Sequence, residues 1–102
     1  MSAKIIELGE KVRDYQLTPC DSHKSFYGKA RVEVYERGRV LISYTTAVIV
    51  EVDGETFDTW GGWSATTGRH IRAFCGKNKH EVDELPRATF ERTSGGAYII
   101  TD

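Results

Sequence analysis

The chain predicts an α+β fold: an antiparallel sheet of about five strands with one main helix, about residues 65–75, packed on one face. Three observations carry this. Runs rich in β-branched residues alternate at strand spacing between residues 29 and 60 and return after Pro86. Turn dipeptides separate the runs, led by Asp53-Gly54. One stretch, from Ser64 to Gly76, has helical spacing with a start signal and a stop signal at its ends.

Residues 4–8, Lys4-Ile5-Ile6-Glu7-Leu8, fit a short strand or a helical turn equally well, and residues 11–17 are mixed. Residues 18–25 form a polar loop containing Pro19. From residue 29 the pattern sharpens. Ala30, Val32 and Val34 alternate with Lys29, Arg31, Glu33 and Tyr35, which reads as a half-buried antiparallel strand. After the Arg37-Gly38 turn comes the most apolar run, residues 40–52, whose even positions Val40, Ile42, Tyr44, Val48, Val50 and Val52 are expected on one face. Thirteen residues are long for one strand, so a bend or two strands meeting near Thr45-Thr46 is expected. Asp53-Gly54 turns the chain, residues 55–60 pair back, and Gly61-Gly62 releases it into the helix.

The helix start lies among Ser64, Thr66 and Thr67, whose hydroxyls can accept from first-turn amides, and Gly76 suits the left-handed position past its end. Ser64, Thr67, Ile71, Phe74 and Cys75 share one side, with Ile71 and Phe74 as anchors, while Arg69 and Arg72 fall on another side and His70 on the opposite flank. Residues 77–80 read as a basic loop and residues 81–85 are ambiguous. Residues 87–93 and 97–101 read as strands joined through Ser94-Gly95-Gly96.

At 102 residues and 39% hydrophobic content a single domain over residues 1–102 is expected. A net charge of −1 gives no long-range attraction to nucleic acid or membrane, so polyanion binding would need a local patch. No leader and no membrane-length apolar segment is seen, so no membrane partner is expected and Cys20 and Cys75 are expected as free thiols.

Two blocks, Asp21-Ser22-His23-Lys24-Ser25-Phe26-Tyr27-Gly28-Lys29-Ala30 and Trp63-Ser64-Ala65-Thr66-Thr67-Gly68-Arg69-His70-Ile71, carry a resemblance. Between them Leu41, Ser43, Tyr44, Thr46 and Val48 fit the same pattern. Together they resemble a family of small uncharacterised proteins of bacteriophages and prophages of Gram-positive bacteria. The likeness spans residues 21–75 and departs after Phe74, where Cys75-Gly76 stands in place of a longer helix. It implies a phage-encoded accessory protein acting in the host (bacterial) cytoplasm. By association, such a protein binds and modulates or inhibits a host protein complex, in an anti-defence or anti-CRISPR manner.

The candidate binding residues are Arg69, His70, Arg72, Lys77, Lys79 and His80, an acid-free basic cluster, together with His23 and Lys24 in the polar loop. A protein partner with acidic surface is their natural complement. The alternative is nucleic acid, with phosphates near the helix start and bases stacking on Trp60 and Trp63. Against both stands a solvated helix face balanced by Glu81, Asp83 and Glu84, with the tryptophans in the core. A second alternative is a virion or assembly component. Catalysis finds no support: His70 and Cys75 turn to different helix faces, Cys20-x-x-His23 lacks a second ligand pair, and no phosphate-loop or cofactor motif occurs. No enzyme, metal or cofactor is therefore expected.

Overall fold

The structure, a computed structural model, describes residues 3–17 and 28–101. The fold is α+β but mostly β. Two antiparallel sheets, of three and five strands, are accompanied by two short helices. In chain order the elements are β1 (Lys4–Gly9), β2 (Lys11–Gln16), β3 (Ala30–Tyr35), β4 (Gly38–Ser43), β5 (Thr46–Val52), β6 (Glu55–Asp58), α1 (Ala65–Cys75), α2 (Lys79–Asp83), β7 (Ala88–Thr93) and β8 (Gly96–Thr101). The five-stranded sheet is the meander β2-β3-β4-β5-β6, and the three-stranded sheet has the order β1-β8-β7.

This corrects the expectation of one sheet of about five strands. Residues 4–16 form two strands, and they belong to different sheets. The chain crosses between them at Gly9-Glu10, where Gly9 has φ 86 and the Glu10 amide donates to the Glu36 carboxylate. β1 then pairs with β8, so residues almost a chain length apart lie opposite one another, Lys4 against Thr101.

The long apolar run divides into β4 and β5 at Tyr44-Thr45, as one of the two expected outcomes had it. Its faces differ from the simple alternation. Val40, Ile42, Val50 and Val52 join Leu8, Phe57, Ala97 and Ile99 in a cluster shared by the two sheets. Leu41, Val48 and Ile49 instead join Val32, Ile71, Phe74 and Val82, a cluster that contains residues of both helices. A register shift explains Val48: Leu41 pairs with Ile49 and Ile42 with Ala47, leaving Val48 unopposed and rotated to the other side. Tyr44 is in the turn and on neither face. With apolar residues on both sides, the run is continuous because both faces of the sheet are covered.

β3 departs in the same way, because Glu33 and Tyr35 are buried with Ala30 and Val32. The Tyr35 hydroxyl donates to Glu33 Oε1 at 2.9 Å, Arg92 Nε of β7 donates to the same oxygen at 3.2 Å, and Arg31 Nη2 reaches Oε2 at 3.2 Å. This clasp links the two sheets at their polar rim. Burial pushes the Glu33 carboxyl up, but the bonds from Arg92, Tyr35 and Arg31 outweigh it and hold it below the usual carboxylate range.

Local signals held at the expected places. Asp53 (φ 52) and Gly54 (φ 79) are both left-handed, the requirement of a two-residue hairpin turn of the primed type. Ser64 caps α1, its Oγ accepting from the Thr67 amide at 3.1 Å, and Gly76 (φ 76) closes it by donating to the Arg72 carbonyl. Residues 79–83, expected as the end of a basic loop and an ambiguous stretch, form α2 instead. Asn78 and Glu81 make a reciprocal capping box there, with Asn78 Oδ1 accepting from the Glu81 amide at 2.9 Å and Glu81 Oε1 from the Asn78 amide at 3.1 Å.

Candidate functional site

The seam between α1 and the end of β4 brings together residues from two of the three sequence blocks. Ser43 Oγ lies 2.8 Å from His70 Nδ1 and 3.0 Å from Thr67 Oγ1. All three side chains are buried, His70 to 1% exposure. Gly68 stands in the middle of this helix because the Trp63 indole rests on it: a Cβ at Gly68 would meet the ring at 2.4 Å. Trp60 and Trp63 pack against the helix-side cluster, as the core reading had it, and are half-buried.

Directly beyond Ser43 the turn presents Tyr44. This residue has φ 58, a conformation that costs a bulky L-residue on the order of 1–2 kcal/mol. Its amide donates to the Lys29 carbonyl at 2.7 Å, its ring lies 5.9 Å from the His70 ring, and Lys29 Nζ lies 5.9 Å from the ring centre. The surroundings thus over-determine the turn, and Tyr44 remains 47% exposed. An aromatic ring with a hydroxyl at its tip and an ammonium group alongside is suited to a protein surface carrying carboxylates.

The basic cluster is dispersed. His70 is not a surface residue. Burial, and then the neighbouring Arg69 charge, lower its pKa, so it is neutral at physiological pH. Arg69 is half-buried, with Nε and Nη2 shielded from solvent, contrary to its expected outward position. Lys79 pairs with Asp83 at 3.0 Å, one helical turn apart on α2, and His80 Nε2 lies 3.4 Å from Glu84 Oε1 at the helix end. Arg72, Lys79 and His80 are exposed and Lys77 is half-exposed, so these four keep the expected outward setting. His23 and Lys24 lie outside the described residues.

A hydroxyl 2.8 Å from an imidazole is the geometry of an activated nucleophile. Here the pair is sealed: Ser43 is 3% and His70 1% exposed. Its evident role is to join helix to sheet. Cys75 faces elsewhere, its thiol donating to the Ile71 carbonyl at 3.4 Å, and burial raises its pKa. Among the described residues no group of three or more His, Cys, Asp or Glu could hold a metal ion, and no helix is long and apolar enough to cross a membrane.

Sequence reasoning passed over Ser43, Tyr44, Thr67 and Lys29 as site residues. The available signal was a tyrosine at a two-residue turn, where glycine or asparagine is the expected occupant. No curated protein and no solved structure matches the chain at a significant level. A family model does match, over residues 15–92 and hence from β2 to β7, taking in the Tyr44 turn and both helices. On that match the chain belongs to a family described as a family of unknown function, DUF8033.

Proposed function

We propose that this is a phage-encoded accessory protein that binds a host protein complex in the bacterial cytoplasm and modulates or inhibits it, as anti-defence and anti-CRISPR proteins do. The observation that carries the binding role is Tyr44. A strained, half-exposed aromatic residue is held rigid by a buried joint behind it, and pre-organised tyrosines of this kind supply a large share of interface energy. Phage origin rests on the resemblance of the sequence blocks. Lys29, Arg72 and Lys77 favour a partner surface rich in carboxylates.

Nucleic acid is the weaker reading. The pairing of Lys79 with Asp83, and the burial of His70, remove charge that phosphates would need.

Affinity capture from host lysate with the wild-type chain, Tyr44→Asn and Arg72→Glu tests the proposal. Asparagine tolerates the left-handed turn, so Tyr44→Asn keeps the fold and removes only the ring. One host complex should be captured by the wild type and lost by Tyr44→Asn, and its activity should fall when the wild-type chain is added. Equal capture by all three chains would sink the assignment. Oligonucleotide binding that weakens steeply with salt and is lost in Arg72→Glu would replace it with the nucleic-acid reading.

A further inference from the structure

Each sheet exposes two edges, and they are protected unequally. Among the described residues the exposed large hydrophobics are Tyr44 and two residues on edge strands, Ile5 of β1 and Val12 of β2, each 63% exposed. On β2, Val12 sits at a register shift between Lys11 and Arg13, and charged residues fill the strand. The outer edge of β6 carries a bridge from Asp58 to Arg87, and on β7 the Arg92 guanidinium lies over Phe90. β1 has a register shift too, but only at its end, between Glu7 and Gly9; residues 4–7 pair in regular register, and there Ile5 and Ile6 are adjacent. An unprotected edge strand is a template for another strand.

We infer that β1 is the surface on which a second copy of this chain docks, the two β1 strands pairing antiparallel about a two-fold axis at Ile5. In antiparallel pairing, opposed residues present the same backbone side, so the axis must fall on a residue. At Ile5 it sets Ile5 against the second copy's Ile5, Lys4 against its Ile6, and Ala3 against its Glu7. No like charges meet. The same operation on β2 opposes Lys11 to Arg13 when centred on Val12, and stacks two arginines or two aspartates when centred on Arg13 or Asp14.

The side chains fit as well. Ile6 and Leu8 turn toward the shared core, so Ile5 turns to the outer face beside Ile100, and pairing covers its exposed surface. On the inner side a groove of about 500 Å³ runs along β1, its far wall formed by Arg37, Val52, Asp53 and Glu55. The added strand delivers Ile6 and Lys4 to that side, an apolar and a cationic side chain for a wall of Val52, the Arg37–Asp53 ion pair and the Glu55 carboxylate. The product is one continuous six-stranded sheet, an ordinary size, made from two three-stranded ones.

Sedimentation velocity on the full chain across a concentration series tests this. The wild type should pass from monomer to dimer with rising concentration, and Ile5→Lys should raise the dimer Kd by about tenfold or more. Val12→Lys, at an equally exposed position, should leave Kd unchanged, as should Tyr44→Asn. With Cys20 and Cys75 replaced by serine, Ile5→Cys should form a disulfide-linked dimer on mild oxidation, since directly opposed residues are within disulfide reach. A strictly monomeric wild type, or equal weakening by Ile5→Lys and Val12→Lys, overturns the inference. So does failure of Ile5→Cys to cross-link.

Discussion

Two buried polar joints hold this molecule together, and they solve desolvation differently. The Glu33 clasp is charged: a carboxylate at 3% exposure meets two arginines whose side chains are still 41% and 49% exposed. The Ser43–Thr67–His70 joint is neutral and wholly enclosed. A charge can be buried at the rim because its counter-charges reach in from water and remain partly hydrated. Beneath the helix no such route exists, so a hydroxyl pair and an uncharged imidazole take the place of an ion pair.

Ile71→Asp should be the most severe test of the helix-side region. Ile71 is 1% exposed, between the helix and Val32, Leu41 and Ile49, so the change loses packing and buries an unpaired carboxylate. A loss of ~4 kcal/mol or more is expected, enough to unfold a marginal domain. A wild-type melting temperature would mean the helix does not depend on that cluster.

Glu33→Gln probes the charged joint at smaller cost. It weakens the bonds from Arg92 and Arg31 while both arginines relax into solvent, so about 1–3 kcal/mol should be lost. The Glu33 pKa is lowered in the fold, so its contribution is fully present above the unfolded value near 4.5 and fades as pH falls through the lower folded value. Urea midpoints of the wild type and the variant should therefore converge in acid. A constant gap between them would refute the clasp.

The neutral joint has its pH dependence in a different window. The lowered His70 pKa means the unfolded chain takes up a proton first as pH drops below about 6.5, so stability falls there. His70→Asn, which keeps a hydrogen-bonding group near Nδ1, should flatten the melting-temperature profile between neutral pH and pH ~5.5 relative to the wild type. An unchanged slope would assign that pH sensitivity elsewhere. The smallest effect belongs to Lys79→Ala: its ion pair with Asp83 is well exposed, and the change should cost no more than about 0.5 kcal/mol by the same measurement.

Elements whose rules act over a few residues were legible in the chain. The Asp53-Gly54 turn, the Ser64 cap and the Gly76 stop each follow from backbone chemistry at one position. The capping box of α2 is equally local, but Asn78 and Glu81 stand among Lys77, Lys79 and His80, whose polar run has the composition of a loop. The candidate site was harder to read. Ser43 and His70 are 27 positions apart, and only their burial separates a joint from a binding or nucleophilic pair.

Periodicity and turn chemistry thus settled where residues 29–76 extend, turn and coil. Tertiary structure decided the division into two sheets, since β1 depends on β8 and neither strand's pattern names the other. It also decided the fate of the basic residues. Spacing on a helical wheel cannot tell which flank meets the sheet, and one buried imidazole, a half-buried Arg69 and the Lys79–Asp83 ion pair shrink the apparent cationic patch. Local conformation is governed by neighbours in sequence; burial, pairing and charge state depend on neighbours in space.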